Sequence, residues 1–330
     1  MNILLTGVAG FIGFHTSKLL LEKGNKVFGV DNLNNYYDIK LKQSRLNKLK
    51  NDKNFFFINS DIQKKNLKLK IKKKHEQSKI NCIINLAAQA GVRHSLVDPY
   101  SYIDSNVMGQ LNMLEIAKDL EVKKFIYASS SSVYGGNKDL PFSTKQRVDH
   151  PVSLYAATKK STELLAECYS KLFNMNAIGL RFFTVYGPWG RPDMATFIFT
   201  KKILKNEAID IFNYGKMRRD FTYIDDIVKG IFGAIQFKSS NKSSHKVYNL
   251  GNNNSEELMT FIEVIEKNLE IKSEKNFLPM QPGDVKETYA DILESERDLN
   301  FKPNTRIEDG IPKFIKWYKE YYNIKISTKS

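Results

Sequence analysis

A tyrosine followed four residues later by a lysine puts a phenol and an ammonium on one face of a helix. The ammonium lowers the phenol's pKa, so the phenolate can take a hydroxyl proton while hydride leaves the same carbon. Spacing alone does not choose the pair, because Tyr36/Lys40, Tyr134/Lys138, Tyr155/Lys159 and Tyr321/Lys325 all satisfy it. Only Tyr155 and Lys159 open a long helical stretch after the fifth apolar strand, where the C-terminal edge of a parallel sheet receives its ligands. That strand ends in Ser129, Ser130, Ser131 and Ser132. A hydroxyl from Ser130 or Ser132 can share the substrate's proton with Tyr155. Tyr155, Lys159, Ser130 and Ser132 are therefore the candidate catalytic set.

A second group sits at the start of the chain. Gly7, Gly10 and Gly13 follow a short apolar strand and open a helix, with Phe11 and Ile12 between the last two glycines. In that context glycines let the backbone approach a pyrophosphate at a helix N-terminus. Asp31 ends the second strand, about 20 residues on. A carboxylate there accepts hydrogen bonds from ribose hydroxyls and repels a 2′-phosphate, so the expected cofactor is NAD rather than NADP.

Both groups need a frame, and the chain supplies one. Apolar strands expected at 2–6, 26–30, 54–58, 80–86 and 123–128 alternate with helical stretches, including 11–23, 99–120 and 152–173. This alternation predicts an α/β fold of Rossmann type, a doubly wound parallel sheet. A sixth strand at 175–183 ends the regular pattern. Beyond it glycine, proline and aromatic residues become frequent and the elements short, with helices at 256–269 and 308–322. The reading is a cofactor domain over 1–181 and a smaller mixed α/β lobe for substrate over 182–330, with some segments returning to the first domain.

Composition narrows the class. Hydrophobic residues make up 42% of the 330, which supports a substantial core. No apolar run reaches the roughly 18 residues that cross a bilayer. The N-terminus runs straight into a strand with no basic lead, so the cytoplasm is expected and no membrane partner. Cys82 and Cys168 are the only cysteines, which argues against a disulfide and against a metal site. Net charge is +15, mostly from lysines scattered along the chain, with a cluster over 64–79. Leu67, Leu69 and Ile71 interrupt that cluster, so it reads as the solvated side of an amphipathic helix and not as a nucleic-acid surface.

Together these residues resemble the extended short-chain dehydrogenase/reductases, the NAD-dependent epimerase/dehydratase family, nearly end to end. The marks are Thr6-Gly7-Val8-Ala9-Gly10-Phe11-Ile12-Gly13, Leu86-Ala87-Ala88, the serines before Val133-Tyr134-Gly135, and Tyr155-Ala156-Ala157-Thr158-Lys159. Longer stretches are similar to the UDP-glucuronate 4-epimerases. They are Asp31-Asn32-Leu33-Asn34-Asn35-Tyr36-Tyr37-Asp38, Gln89-Ala90-Gly91-Val92-Arg93, and the segments 181–194, 216–227 and 280–285. The resemblance implies cofactor contacts from Asn32, Asp61, Ile62, Leu86, Ala87, Ala88, Asn106 and Ser129, besides the glycine loop, Asp31, Tyr155 and Lys159. It implies a UDP-sugar substrate, NAD regenerated in each turnover, and a homodimer built on helices near 99–120 and 152–173.

On the substrate side, Ser131, Ser132 and Thr184 offer hydroxyls for a sugar carboxylate. Ser131 and Ser132 stand where related decarboxylases carry a glutamate, and a hydroxyl is a poor acid or base, so epimerisation is favoured over loss of water or CO2. Arg219 suits a diphosphate, and Arg191, in a glycine- and proline-rich loop, either does the same or gates access. Arg93 reads equally as an anion contact or a structural ion pair. The resemblance puts Phe212 and Asn213 against uracil and Tyr289 in the pocket wall. Expected alternatives are a 4-epimerase of neutral UDP-sugars and, behind it, a UDP-glucuronate decarboxylase.

Overall fold

A computed structural model describes residues 1–75, 79–239 and 244–324. The strands are β1 (Asn2–Thr6), β2 (Lys26–Asp31), β3 (Phe55–Asn59), β4 (Cys82–Asn85), β5 (Lys124–Ser130), β6 (Asn176–Phe182), β7 (Thr184–Tyr186), β8 (Ile209–Ile211), β9 (Arg218–Arg219), β10 (Phe221–Tyr223), β11 (Ser244–Leu250), β12 (Glu256–Glu257) and β13 (Lys275–Phe277). The helices are α1 (Phe11–Glu22), α2 (Ile39–Lys50), α3 (Leu67–His75), α4 (Pro99–Tyr102), α5 (Gly109–Asp119), α6 (Leu154–Phe173), α7 (Ala195–Leu204), α8 (Ile224–Gln236), α9 (Leu258–Leu269), α10 (Leu293–Leu299) and α11 (Ile307–Tyr321).

Seven strands form the main sheet in the order β11-β6-β5-β4-β1-β2-β3, and every pair is parallel. The strands are apolar on both faces because helices cover both. Alternate residues feed opposite cores. Ile3, Leu5, Cys82, Ile84 and Ile126 face one cluster, and Leu4, Ile83, Phe125 and Tyr127 face the other. Leu4 is fully buried, so its replacement by alanine costs about 2–5 kcal/mol. The order reverses at β1, with β2 on one side and β4 on the other, and a crevice opens beyond the C-terminal ends of these two strands.

Three features differ from the sequence reading. The sheet has a seventh strand, β11, which pairs with β6 from Ser244↔Asn176 to Leu250↔Phe182. The expected helix over 99–120 is three pieces, because a π-helical turn at Ile103–Met108 separates α4 from α5. In the lysine cluster Leu67 and Ile71 are buried one turn apart, while Leu69 is 62% exposed among the lysines; residues 76–78 of that cluster lie outside the described part. No helix among the described residues is long and apolar enough to cross a membrane.

The smaller lobe is made of short pairs, β7 with β10, β9 with β12 and β8 with β13, packed against α7, α9 and α11. Asp220, fully buried, ties it together. Its carboxylate accepts from Thr222 Oγ1 (3.0 Å), Asn252 N (2.5 Å), Asn253 N (3.1 Å) and Ala290 N (3.1 Å).

Candidate active site

The crevice is the mouth of a cavity of about 980 Å3 between the sheet edge and the smaller lobe. That is the upper end of ligand-site volumes, and suits two nucleotides.

The glycine loop is shaped by close approach. Gly7 has φ +76°, and a Cβ there would lie 2.9 Å from Ala87 N. A Cβ on Gly13 would lie 2.0 Å from Gly7 O. Both are therefore spaces that any side chain would fill. Gly10 caps α1 with no side-chain hydrogen bond, so the first N–H groups of α1 face the cavity. Asp31 lies at the end of β2, where Oδ2 accepts from Ala9 N (3.0 Å) and Oδ1 from Leu33 N (2.9 Å). Burial raises its pKa, against these bonds and the charges of Lys42 and Arg45. Asn32 donates to Asp61 Oδ2 at 2.8 Å, which joins the ends of β2 and β3. A cradle of this shape with a carboxylate at its far end fits a dinucleotide.

Tyr155 is the second residue of α6, whose first turn Ser153 caps by accepting from Ala156 N (3.1 Å). Ser132 Oγ donates to Ser130 Oγ at 2.9 Å. Ser130 and Tyr155 line the same cavity. Burial raises the Tyr155 pKa, and Ser130 and the positive charge of Arg191 oppose it. The sequence reading gave that acidifying charge to Lys159. In the structure Lys159 Nζ donates to Ala128 O at 3.0 Å, and burial lowers its pKa to about 8. One turn on, Glu163 accepts from Ser129 Oγ (2.7 Å) and from Arg181 Nε (2.8 Å) and Nη2 (2.9 Å). This buried pair pins the end of β5, and with it the serines.

Most of the candidate residues line the one cavity. They are Gly7, Gly10, Phe11, Ile12, Gly13, Asp31, Asn32, Asp61, Ile62, Leu86, Ala87, Ala88, Ser129, Ser130, Ser131, Ser132, Tyr155 and Lys159, with Arg93, Thr184, Arg191, Phe212 and Arg219. Asn106, Asn213 and Tyr289 are not among the lining residues. Asn106 lies in the π turn, where it bonds both backbone groups of Gln89 and Thr158 Oγ1, and so props the loop after β4 against α6. Asn213 folds back at φ +51° and donates to Lys216 O (2.8 Å). Tyr289 meets Phe142 N through its carbonyl (2.7 Å). Arg93 lines the cavity, pairs with Asp284 (3.0 Å) as its structural reading has it, and lies 4.6 Å over the Phe212 ring. Arg219 donates to the carbonyls of Arg218 (2.8 Å) and Lys286 (3.1 Å). Arg191 is paired with Asp193. Tyr36, Tyr37, Lys42, His94 and Asp193 also line the cavity and were missed. Tyr36 and Tyr37 lie inside a stretch that the resemblance marks, but nothing in the spacing assigns either a role.

A profile of the NAD dependent epimerase/dehydratase family matches residues 3–251. The chain belongs to the NAD-dependent epimerase/dehydratase family. An NAD-dependent epimerase on a Rossmann-type sheet is what the resemblance implied. This epimerase is 49% identical to Protein CapI of Staphylococcus aureus, over 98% of this chain and 99% of the relative. It is 44% identical to UDP-glucuronate 4-epimerase 2 of Arabidopsis thaliana, over 98% of this chain and 76% of that protein. Among solved structures, the UDP-glucuronic acid 4-epimerase of Bacillus cereus in complex with UDP-glucuronic acid and NAD superimposes with a TM-score of 0.90. The two are 35% identical over 98% of this chain and 100% of the other.

Proposed function

We propose that this epimerase interconverts UDP-glucuronate and UDP-galacturonate at C4, through a 4-keto intermediate and with NAD retained from turnover to turnover. The observation that carries the reading is the Ser132–Ser130 hydroxyl pair in one cavity with Tyr155, further hydroxyls and arginines, in a chain similar to two proteins named as UDP-glucuronate 4-epimerases. Residues 1–181 carry the cofactor and 182–330 the sugar nucleotide, apart from β11, which lies in the main sheet.

The glycine loop, Asp31, Asn32 and Asp61 hold NAD, which supplies the hydride acceptor and donor at C4. Tyr155, as the phenolate that Ser130 favours, takes the proton of the 4-hydroxyl and becomes the neutral phenol. The ketone must then present its other face, and Tyr155 returns the proton. Lys159 is held by Ala128 O at the base of this group and orients the nicotinamide ribose.

The intermediate is a β-keto acid, which loses CO2 when its carboxylate aligns with the carbonyl π system. With the proton of Ser132 directed at Ser130, Ser131 and Thr184 are the donors left to hold the carboxylate out of that alignment. Arg219, Arg93 and Arg191 face the diphosphate. Burial lowers the pKa of Arg219, with Arg93 acting the same way and Asp284 opposing, so an anion between the two arginines relieves a like-charge contact.

Tyr155→Phe should retain NAD and lose about 10²–10⁴ of the turnover, the weight of one general acid–base group. Unchanged turnover would sink the assignment. As a homodimer the chain would pair through α6, where Leu164 and Leu172 are 60% and 66% exposed, and through the neighbouring Tyr100, Ile103 and Met108. Size exclusion that finds only monomer would overturn this pairing.

A further inference from the structure

We propose that the loop over residues 187–194 is a strap that keeps NAD in place, anchored permanently at Arg45 and latched by a hydrogen bond from Tyr36 to Asp193. The inference rests on the reading that NAD is retained between turnovers.

The anchor is on α2. Arg45 is fully buried, and its guanidinium reaches three separate segments. Nη1 donates to Ala9 O (2.8 Å), inside the glycine loop, and to Tyr37 Oη (2.7 Å). Nη2 donates to Trp189 O (2.6 Å) and Gly190 O (3.1 Å), inside the strap. Beside it the His15 ring bonds Pro188 O at 2.9 Å. Trp189 takes φ +61°, a conformation a tryptophan adopts only when its surroundings impose it. Its ring is held against Phe14, Trp317 and Tyr321 at 5.1–5.5 Å between centroids. This end of the strap has too many partners to open alone.

The other end leads into α7, and one side-chain hydrogen bond joins it to the segment after β2. Tyr36 Oη donates to Asp193 Oδ2 at 3.2 Å, and both side chains line the cavity. The bond joins the segment after β2, which carries Asp31, to the segment after β7, which carries Arg191. A third loop closes on the same point. Gly91 has φ +105°, and a Cβ there would lie 2.7 Å from Tyr36 Oη. The Tyr36 ring packs on His94 at 4.9 Å between centroids. Three loops from three strand ends therefore meet over the cavity, held across it by one partly exposed hydrogen bond. A dinucleotide lying from the glycine loop to Tyr155 passes beneath this meeting point, and it can leave only when the latch parts.

The test is the rate at which bound NAD leaves the intact protein, measured without sugar by diluting NAD-loaded enzyme and following NAD that remains on rapid gel filtration. Tyr36→Phe removes the hydroxyl and keeps the ring on His94. It should speed release about five- to tenfold, the net weight of an ordinary hydrogen bond. Asp193→Ala should do the same or more, because it also frees Arg191. The double variant should be no faster than Asp193→Ala, the signature of one shared bond. Unchanged release in Tyr36→Phe, multiplied effects in the double variant, or a wild type that sheds NAD as fast as Tyr36→Phe would each overturn the strap. A purely structural defect would instead lower the unfolding midpoint of the NAD-free protein, which Tyr36→Phe should leave in place. Release is read without turnover, so a failure of C4 epimerisation leaves this result interpretable.

Discussion

Glu163→Gln is the perturbation with the largest consequence that the structure allows to be worked through. Glu163 and Arg181 are both 3% exposed, and Glu163 receives two bonds from the guanidinium and one from Ser129. Burial lifts the Glu163 pKa, but the bonds and charge of Arg181 outweigh it and hold the carboxylate below its ordinary range. Glutamine leaves the guanidinium charged and uncompensated. Arg181 Nη1 already has no hydrogen-bond partner, and its remaining support is the Tyr134 ring at 4.8 Å. Breaking a buried pair from one side costs about 3–5 kcal/mol. That is a large fraction of a typical total of about 5–15 kcal/mol. The assay is urea unfolding at one fixed NAD concentration, since bound NAD itself stabilises the folded state. Replacing both partners, Glu163→Met with Arg181→Met, should restore stability to within about 2 kcal/mol of wild type, because the desolvated charges go together. Turnover should stay low in the double variant, since Ser129 has lost its anchor and the serine end of β5 its register. A Glu163→Gln protein within about 1 kcal/mol of wild type would refute the argument.

Two further perturbations test how the lobes are joined. Burial lowers the His15 pKa to about 4, with Arg45 and Lys18 acting the same way and the Pro188 bond opposing. The unfolded chain binds that proton near pH 6.5 and the folded one does not, so stability is full above 6.5 and falls as pH drops towards 4. The loss between pH 7 and pH 5 should be about 2 kcal/mol, and His15→Gln, which keeps an N–H for Pro188 O, should flatten it in denaturant titrations. An equal slope in both proteins would contradict the assignment. Asp220→Asn turns an amide N–H₂ towards backbone donors and should cost about 3 kcal/mol in the same assay; a change under about 1 kcal/mol would show that the four bonds do not carry the lobe.

The sheet was legible because its central strands are covered on both faces, and residues such as Ile3, Leu4 and Leu5 write that burial as continuous apolar runs. The candidate reactive pair was picked out by position: four tyrosine–lysine pairs share the spacing, and only Tyr155/Lys159 open a long helix after the strand that ends in the four serines. β11 was not. It is an edge strand that begins Ser244-His245-Lys246, and a strand with one free edge carries charge there for protection. The π turn was not either, because its residues keep the composition of the helices on both sides. Asn213 and Tyr289 resembled pocket residues by motif, yet backbone geometry turns Asn213 back on its own loop. Arg45 lies in none of the stretches that carry the resemblance, and Tyr36 and Asp193 lie in two of them with no role assigned, since their partners lie up to 157 residues away and only the folded chain brings them together.

The most direct test of the central claim is to mix purified protein, with no added NAD, with UDP-glucuronate and follow the sugar by proton NMR. Appearance of UDP-galacturonate without release of CO2 is the predicted result, and it would report substrate, epimerisation and retained cofactor together. Conversion of a neutral UDP-sugar with UDP-glucuronate left unchanged, even after NAD is added, would contradict the carboxylate reading. Release of CO2 would contradict the epimerisation.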